Sequence, residues 1–361
     1  MVAPAFCIAA TSLLSVPICV KSPRAGRSGP LAPRDHFVLT KAFHSSGDVI
    51  ADRRAGYAKM LAEGGDHAAA ADLMGQALDI VPGWAAGWDL LGHYAEKAGD
   101  VAGAISAWRH LEALDDTGVF GAGLKLAAHG AGRAADGTAV SYVEALFDQY
   151  APQFEQSLVE RLGYRVPEML DALVTQEMAR LGFDGFARAL DLGCGTGLMG
   201  RQLRAKVAFL EGIDVSAAMI AETARKGIYD SLHKAELVAA LSTRRSDADL
   251  VTAADVFIYC GALPPVLAAL VPALQPGGLL AFSLEAHDGP EPLFLRPSLR
   301  YAHGIDATRD ALVVAGLEIL RFETAVLRQD RGAPITGMLI VARRPPVVLT
   351  AANEGQGGVA A

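Results

Sequence analysis

The stretch ARALDLGCGTGLMG, residues 187–200, decides the fold. A short apolar run leads into a glycine-rich turn, so the pattern predicts a strand, a tight turn and then a helix. Gly195 to Gly200 satisfy the G-x-G-x-x-G pattern of dinucleotide binding, which is a weak signal by itself. Asp191, two residues before Gly193, completes the fuller pattern Asp-x-Gly-x-Gly-x-Gly.

The acid at Asp191 separates two classes of cofactor. A carboxylate at the end of the strand would repel a pyrophosphate, but it suits the ammonium group of a methionine moiety. That moiety would lie across the bare backbone of Gly193, Gly195 and Gly197. The pattern therefore favours S-adenosyl-L-methionine over a nicotinamide cofactor.

The next segments extend the predicted cofactor site. A second strand, AFLEGIDVS, ends at Asp214, whose carboxylate can accept hydrogen bonds from both ribose hydroxyls. Val215 follows it, and the next helix contains Met219. A third strand with Glu236 and Leu237 would offer an acceptor and an apolar wall to the adenine, although Glu236 fits a surface acid almost as well.

The later segments alternate in the same way. DLVTAADVFIY, residues 249–259, predicts a buried strand that carries an acid at Asp255. The sequence PGG at 276–278 introduces another strand, LLAFSLE. This order predicts an α/β fold with a parallel sheet and with ligands at the carboxyl ends of its strands.

A repeat precedes this region. At an offset of 34 residues the chain matches itself, and the stretch 88–108 resembles the tetratricopeptide consensus through Trp88, Leu91 and Gly92. The matching pairs are Gly65 with Gly99, Asp66 with Asp100, Ala70 with Ala104, Met74 with Trp108 and Ala77 with Leu111. Residues 119–130 would add a capping helix. The segment is either a docking surface for a protein partner or a helical cap on the enzyme.

Composition limits the partners. The chain has 361 residues, a formal net charge of -8 and 52% hydrophobic residues, so we expect a globular protein with no nucleic-acid partner. Its four cysteines have no paired spacing, which predicts no metal site, no disulfide framework and a cytoplasmic location. Residues 1–20 are too short and too interrupted by proline for a membrane span. The beginning of the chain is an overextended start, a disordered tail or a targeting signal.

Residues 187–344 resemble the class I S-adenosylmethionine-dependent methyltransferases through ALDLGCGTG, GIDVS, AADVFIY and PGGLL. With the repeats, the chain is similar to bacterial methyltransferases predicted to carry tetratricopeptide repeats. The resemblance implies a Rossmann-like seven-stranded sheet whose last hairpin is antiparallel, at 317–325 and 336–343. It also implies a lid before the first strand, formed by Phe147, Tyr150, Tyr164 and Arg165, in which Arg165 either meets the methionine carboxylate or is a surface charge.

We therefore predict five segments. They are an unpacked extension at 1–45, the repeats at 46–135, a helical lid or linker at 136–182, the methyltransferase domain at 183–345 and a flexible tail at 346–361.

Methyl transfer from a sulfonium mainly requires alignment and exclusion of water. If the acceptor is a hydroxyl or an ammonium, His303 or Asp255 is the candidate base, although His303 also fits a solvated loop. The chain lacks the Asn-or-Asp-Pro-Pro-aromatic box of planar-nitrogen methylation. A small molecule is therefore the leading acceptor, ahead of a protein side chain. A repeat scaffold with a vestigial cofactor domain and an NAD-dependent oxidoreductase are the alternatives.

Overall fold

The computed structural model describes residues 45–132, 138–151, 154, 163–330 and 333–347. The predicted N-terminal extension and most of the predicted C-terminal tail lie outside these ranges. Within these ranges, five helices come first: α1 Val49–Glu63, α2 His67–Leu78, α3 Ala85–Ala98, α4 Val101–Leu114 and α5 Ala122–Ala128. They pack as successive neighbours, with apolar residues such as Met74 and Trp108 fully enclosed.

The same capping geometry recurs 34 residues apart. The Asp66 carboxylate accepts from the backbone N of Ala69 at 3.0 Å and begins α2, and Asp100 accepts from Gly103 at 2.9 Å and begins α4. Each aspartate follows a glycine with φ near +86°, a conformation that favours glycine. Both glycine–aspartate positions predicted from the sequence therefore lead into a helix in the same way.

Helix α6, Val140–Tyr150, contacts both parts of the chain. Its Ser141 hydroxyl donates to the carbonyl of Thr117, 2.5 Å away, and Lys234 of the α/β part pairs with Glu144 at 2.6 Å. Just before α6, the backbone N of Thr138 donates to the carbonyl of Tyr259. Helix α7, Val166–Leu181, then leads into the sheet.

The α/β part is a twisted sheet with helices on both faces. Its strands are β1 Phe186–Leu192, β2 Val207–Asp214, β3 Ser231–Lys234, β4 Ala248–Ala253, β5 Leu274–His287, β6 Leu293–Leu295, β7 Tyr301–Gly304, β8 Glu318–Asp330 and β9 Ala333–Arg343. The remaining helices are α8 Leu198–Leu203, α9 Ala217–Lys226, α10 Leu237–Ser242, α11 Leu263–Ala273 and α12 Ile305–Val314. Strands β3, β2, β1, β4 and β5 are neighbours in that order and parallel, and β9 pairs antiparallel with both β5 and β8.

Period-2 alternation places the core on both faces of the sheet. In β5, Leu280, Phe282 and Leu284 pack with α10, α11 and α12, while Leu279 and Ala281 pack with α7 and α8. The central strands are consequently near-continuous apolar runs, as expected for a sheet that is covered on both sides.

The structure corrects three sequence predictions. Strand β3 ends at Lys234, so Glu236 and Leu237 belong to the beginning of α10 rather than to a strand. The described residues contain nine strands instead of seven, because the short pair β6–β7 is inserted after β5. The stretch 249–259 is strand only up to Ala253, and Phe257–Tyr259 forms a 3₁₀ turn. Over the ranges described, no helix combines the length and apolarity that crossing a bilayer requires.

Candidate functional site

A cavity of about 340 Å³ lies at the carboxyl ends of β1, β2 and β4, below helix α6. Parallel strands bring their carboxyl ends to one edge of a sheet, where ligands of such folds bind. Of the predicted cofactor residues, Gly193, Gly195, Asp214, Val215, Glu236 and Leu237 line it. Asp255 of the predicted catalytic pair also lines it.

The glycine turn needs glycine for two different reasons. Gly193 has φ +59°, and a Cβ there would lie 2.5 Å from a methyl carbon of Val256. Gly195 has φ +53°, but its nearest neighbours to such a Cβ, Phe154 among them, are 3.9 Å away, so the Cβ would extend into the cavity. Gly197, at φ +88°, begins α8 and does not line the cavity.

Asp214 is held at the carboxyl end of β2 with its oxygens fixed by backbone donors. The N–H of Gly195 donates to Oδ2 and the N–H of Ser216 to Oδ1, each at 2.8 Å. A carboxylate has about four acceptor positions, so the backbone N–H groups of Ser216, Gly195 and Val215 leave acceptor capacity for a ribose hydroxyl. Burial raises the pKa of Asp214 to about 6, against the lowering effect of these donors, and the nearby charge of Asp148 raises it further.

Asp191 lies beneath the turn and does not line the cavity. The Tyr229 hydroxyl donates to one of its oxygens at 2.6 Å, and the Thr252 hydroxyl donates to the other at 2.7 Å. Tyr229 in turn accepts from the N–H of Gly200. Asp191 is 1% exposed and is not part of the cavity lining, so the predicted direct contact with a methionine ammonium is not seen, and Tyr229 and Thr252 hold this carboxylate instead.

Of the next four predicted cofactor residues, three line the cavity and one does not. Glu236 lines the cavity while its carboxylate caps α10, accepting from the N–H groups of Val238 and Ala239. Val215 and Leu237 supply apolar wall. Met219, in α9, is fully buried and does not line the cavity, so its predicted cofactor contact is not seen.

Charged side chains also line the cavity. Asp255 follows β4 with φ +57°, a strained conformation for a residue other than glycine. Its Oδ1 accepts from the Ser283 hydroxyl at 2.7 Å, and its Oδ2 pairs with Arg328 at 2.6 Å. Arg328 is only 3% exposed and also pairs with the buried Glu285. Asp255 is thus fully engaged and is not a free base.

Arg300 lines the cavity next to this pair. Its Nε lies 3.2 Å from Glu285 and its Nη2 lies 3.0 Å from Asp330. Arg296 pairs with the same Glu285 at 3.0 Å but does not line the cavity. Burial raises the pKa of the neighbouring Tyr259 against the effect of Arg300, so this hydroxyl is protonated, and its oxygen accepts a hydrogen bond from Arg300.

Aromatic and aliphatic side chains close the cavity from above. The Phe147 ring of α6 contacts Tyr259 and Phe154 edge-on, with centroids 5.4 and 6.1 Å apart. Val140 and Val143 of the same helix complete this apolar roof. Such a cover excludes water from the site beneath it.

Two of the predicted lid residues are elsewhere. Tyr150 is 51% exposed, and Arg165 is exposed just before α7; neither lines the cavity. Phe147 and Tyr164 do line it. The interpretation of Arg165 as a surface charge fits the structure, and a contact to the methionine carboxylate does not.

His303 does not belong to the site. It lies in β7, 3% exposed, and its Nε2 is 2.9 Å from the carbonyl of Gly261. Burial lowers its pKa to about 4, and it does not line the cavity. The segment predicted to be a substrate-side loop is paired with β5 and β6, which removes His303 from solvent and from any acceptor in this cavity.

Several lining residues were not predicted from the sequence: Phe154, Tyr259, Arg300 and Arg328. Tyr259 and Arg300 stand in segments that had been recognised, but no motif marks them. Arg328 lies beyond the predicted end of its hairpin, and a charged residue facing inward from a long strand is its only signal. The contact between Arg328 and Asp255 joins positions 73 residues apart, which sequence spacing does not reveal.

Part of the α/β region is similar to known proteins. Residues 190–280 match the family model described as a methyltransferase domain. The malonyl-[acyl-carrier protein] O-methyltransferase of Enterobacter lignolyticus (strain SCF1) is 34% identical over 146 residues, which is 40% of this chain and 54% of that protein. The human methyltransferase-like protein 27 is 30% identical over 178 residues, 47% of this chain and 66% of that protein. The chain thus spans between about half and two thirds of these relatives.

Among solved structures, the magnesium protoporphyrin IX methyltransferase of Synechocystis PCC 6803 with bound SAH aligns with a TM-score of 0.43 and 17% identity, covering 57% of this chain and 99% of that one. The [4+2]-cyclase SpnF aligns with a TM-score of 0.45 and 19% identity, covering 57% of this chain and 96% of that one. The family match and the two relatives support the prediction of a methyltransferase domain in this part of the chain.

Proposed function

We propose that the chain transfers a methyl group from S-adenosyl-L-methionine to an acceptor bound in the same cavity, and that this acceptor is a small molecule. The observation that carries the proposal is the arrangement of the cavity. One end has the glycine turn, Asp214 and Glu236, and the other has Asp255 and Arg300 under an apolar roof.

The residues present fit the cofactor. The open side of Gly195 lets a ligand lie against the backbone, and Asp214 retains acceptor positions for the ribose. Glu236, Leu237 and Val215 are placed for the adenine. When bound, the cofactor would supply a methyl group on a positively charged sulfur. The role of the chain is then to orient the two ligands and to keep water out beneath Phe147.

A small acceptor fits this cavity better than a protein side chain, because helix α6 covers it with Val140, Val143 and Phe147. The bacterial relative is named for O-methyl transfer to malonyl-[acyl-carrier protein], which favours an oxygen acceptor here too. A protein substrate recruited by the repeats is the second candidate.

We also propose that α1 to α5 are tetratricopeptide repeats and that the domain limits are those given by the sequence. The hydrogen bond from Ser141 to Thr117, together with the packing of Tyr142 against Gly121, favours a helical cap on the enzyme over a free docking surface. We further propose that nucleic acid is not a partner, because the net charge of -8 disfavours binding to a phosphate backbone. The unpaired Cys194 and Cys260 fit a cytoplasmic location.

Calorimetric titration tests the proposed function. We expect the purified chain to bind S-adenosylhomocysteine and not NADH, and Asp214→Ala to abolish that binding. Asp230→Ala is the matched control, since this carboxylate lies outside the cavity and pairs with Arg204. Preference for NADH would return the oxidoreductase to first place, and binding of neither ligand would favour the scaffold.

A further inference from the structure

The cavity offers an acceptor no free base among its described lining residues. Those residues with an ionisable group other than arginine are Tyr164, Asp214, Glu236, Asp255, Tyr259 and Cys260. Burial raises the pKa of Tyr164 and Tyr259, and raises that of Cys260 to about 12, so all three stay protonated near neutral pH. Asp214 and Glu236 hold backbone donors at the cofactor end, and Asp255 is ion-paired. An acceptor that arrives already deprotonated needs none of them.

Arg300 is placed to bind such an anion. A guanidinium has five N–H donors in a planar fork, and Glu285, Asp330 and the Tyr259 hydroxyl beside Arg300 engage only part of it. Its partner Asp330 is 29% exposed, and pairs at that exposure contribute little, so an anion in the cavity can compete for the same donors. The Arg300 side chain keeps 22% of its surface accessible.

The acids in the wall do not repel an anion. Glu285 is paired with Arg296, Arg300 and Arg328, and Asp255 is paired with Arg328. Without Arg328, the Asp255 carboxylate would line the cavity without its ion-pair partner, and it would repel an anion there. Arg328 is therefore a positioning residue that neutralises the wall, and Arg300 supplies the donors.

We propose that the acceptor is a carboxylic acid with an apolar body, held as its carboxylate by Arg300 with the body under Phe147 and Tyr259. This rests on the proposed methyl transfer. In the reaction a carboxylate oxygen forms a bond to the methyl carbon while the bond from that carbon to sulfur breaks. The negative charge of the acid and the positive charge of the sulfonium are both consumed, giving a methyl ester and the neutral thioether with no proton released.

Binding of matched probes tests the inference without turnover. The protein, saturated with S-adenosylhomocysteine, is titrated with octanoate and 3-phenylpropionate, and with the amide and the alcohol of each. We expect at least one acid to bind about ten-fold or more tightly than its amide, as charge-assisted bonds to arginine should give. Arg300→Met should remove that preference, and Arg300→Lys should restore it only in part.

Arg296→Met is the control, because Arg296 shares Glu285 with Arg300 but does not line the cavity. It should keep the preference for the acid. With S-adenosylmethionine, the methylated product should be an ester that alkali cleaves to methanol.

Three results would overturn the inference: equal binding of acid and amide, a preference that survives in Arg300→Met, or methylation of the alcohol or of octylamine instead. Failure of the proposed function is distinguishable, because the protein would then not bind S-adenosylhomocysteine at the outset.

Discussion

Asp191 and Asp214 are carboxylates that the fold buries together, at 1% and 8% exposure. Burial raises the pKa of Asp191 to about 6, against the hydrogen bonds of Tyr229 and Thr252, which lower it. Both positions could be predicted from the sequence, since each follows a strand at a spacing that cofactor binding requires. Their separate roles could not, because only the structure shows that Tyr229 and Thr252 surround Asp191.

Asp191→Asn should therefore stabilise the protein at neutral pH. A carboxyl group whose pKa is higher in the folded state binds more protons there than in the unfolded chain, so its burial lowers stability as the pH rises from about 4 to about 6. The rise from the ordinary value of 3.8 to about 6 corresponds to roughly 3 kcal/mol as an upper limit. In denaturant unfolding, the free energy of unfolding of the variant should rise relative to that of the wild type between about pH 4 and about pH 6. The variant should remain the more stable protein at higher pH.

Asp230→Asn should change the stability of the protein in the opposite direction. Burial alone would raise the pKa of Asp230, but hydrogen bonds from Arg204 and from the Leu210 backbone lower it. The carboxylate therefore stabilises the folded state at neutral pH, and this stabilisation is lost on acidification. This variant should lose stability near pH 7. A gain for Asp191→Asn that does not depend on pH would contradict the account.

Gly193 and Gly195 should respond differently to alanine. Both have positive φ, which costs an alanine about 1 kcal/mol, but at Gly193 the added carbon also collides with Val256. Gly193→Ala should lower the midpoint of thermal unfolding by several degrees. Gly195→Ala should change it less, yet lose most of the affinity for S-adenosylhomocysteine in calorimetry, because its Cβ enters the cavity. Equal losses of stability in the two variants would contradict these separate roles.

At the scale of elements, the repeat depends on close approach between α3 and α4. A Cβ at Gly92 would lie 2.2 Å from the indole nitrogen of Trp108, whereas one at Gly75 in α2 would meet nothing within 4 Å. Gly92→Ala should destabilise the chain by about 1–3 kcal/mol. Gly75→Ala should stabilise it by about 0.5–1 kcal/mol through helix propensity and the unfolded state. Thermal and denaturant unfolding measure both, and a stable Gly92→Ala would mean that these helices do not pack as described.

Helix α6 tunes the cofactor end of the cavity through Asp148. This carboxylate accepts from the Ser216 hydroxyl at 2.5 Å and from the N–H of Ala218, and its charge raises the pKa of Asp214. Since a protonated Asp214 accepts fewer hydrogen bonds, affinity for S-adenosylhomocysteine should fall below about pH 6. In Asp148→Asn this fall in affinity should occur at a lower pH. Calorimetry across pH 5 to 8 measures this shift. An unchanged pH dependence of the affinity would mean that Asp148 of α6 does not influence cofactor binding.

Elements with strong periodicity could be predicted, and short ones could not. Strands β1 and β2 and the helix pairs of the repeat agree with the sequence pattern, because long apolar runs and fixed glycine–aspartate turns specify them locally. Strand β3 was misplaced because its four residues carry little pattern, and Glu236 and Leu237 obey capping chemistry instead. The pair β6–β7 depends on pairing with the far end of β5, which is a tertiary interaction.

At the scale of the whole molecule, one cavity brings together residues from the glycine turn, from α6 and from the arginine cluster beyond β5. The cofactor end was foreseeable, because its residues follow the first strands in order. The other end was not, since Arg300 and Arg328 approach Asp255 through insertions and a hairpin far along the chain. Local sequence motifs thus indicate the class of chemistry, whereas contacts between distant parts of the chain determine which acceptor can bind.

The most direct measurement is a crystal structure of the full chain with S-adenosylhomocysteine. The account predicts both ribose hydroxyls within hydrogen-bonding distance of Asp214, the adenine beside Glu236 and Leu237, and the sulfur directed toward the end of the cavity that contains Arg300. A ligand bound outside this cavity, or one whose ribose does not contact Asp214, would contradict it.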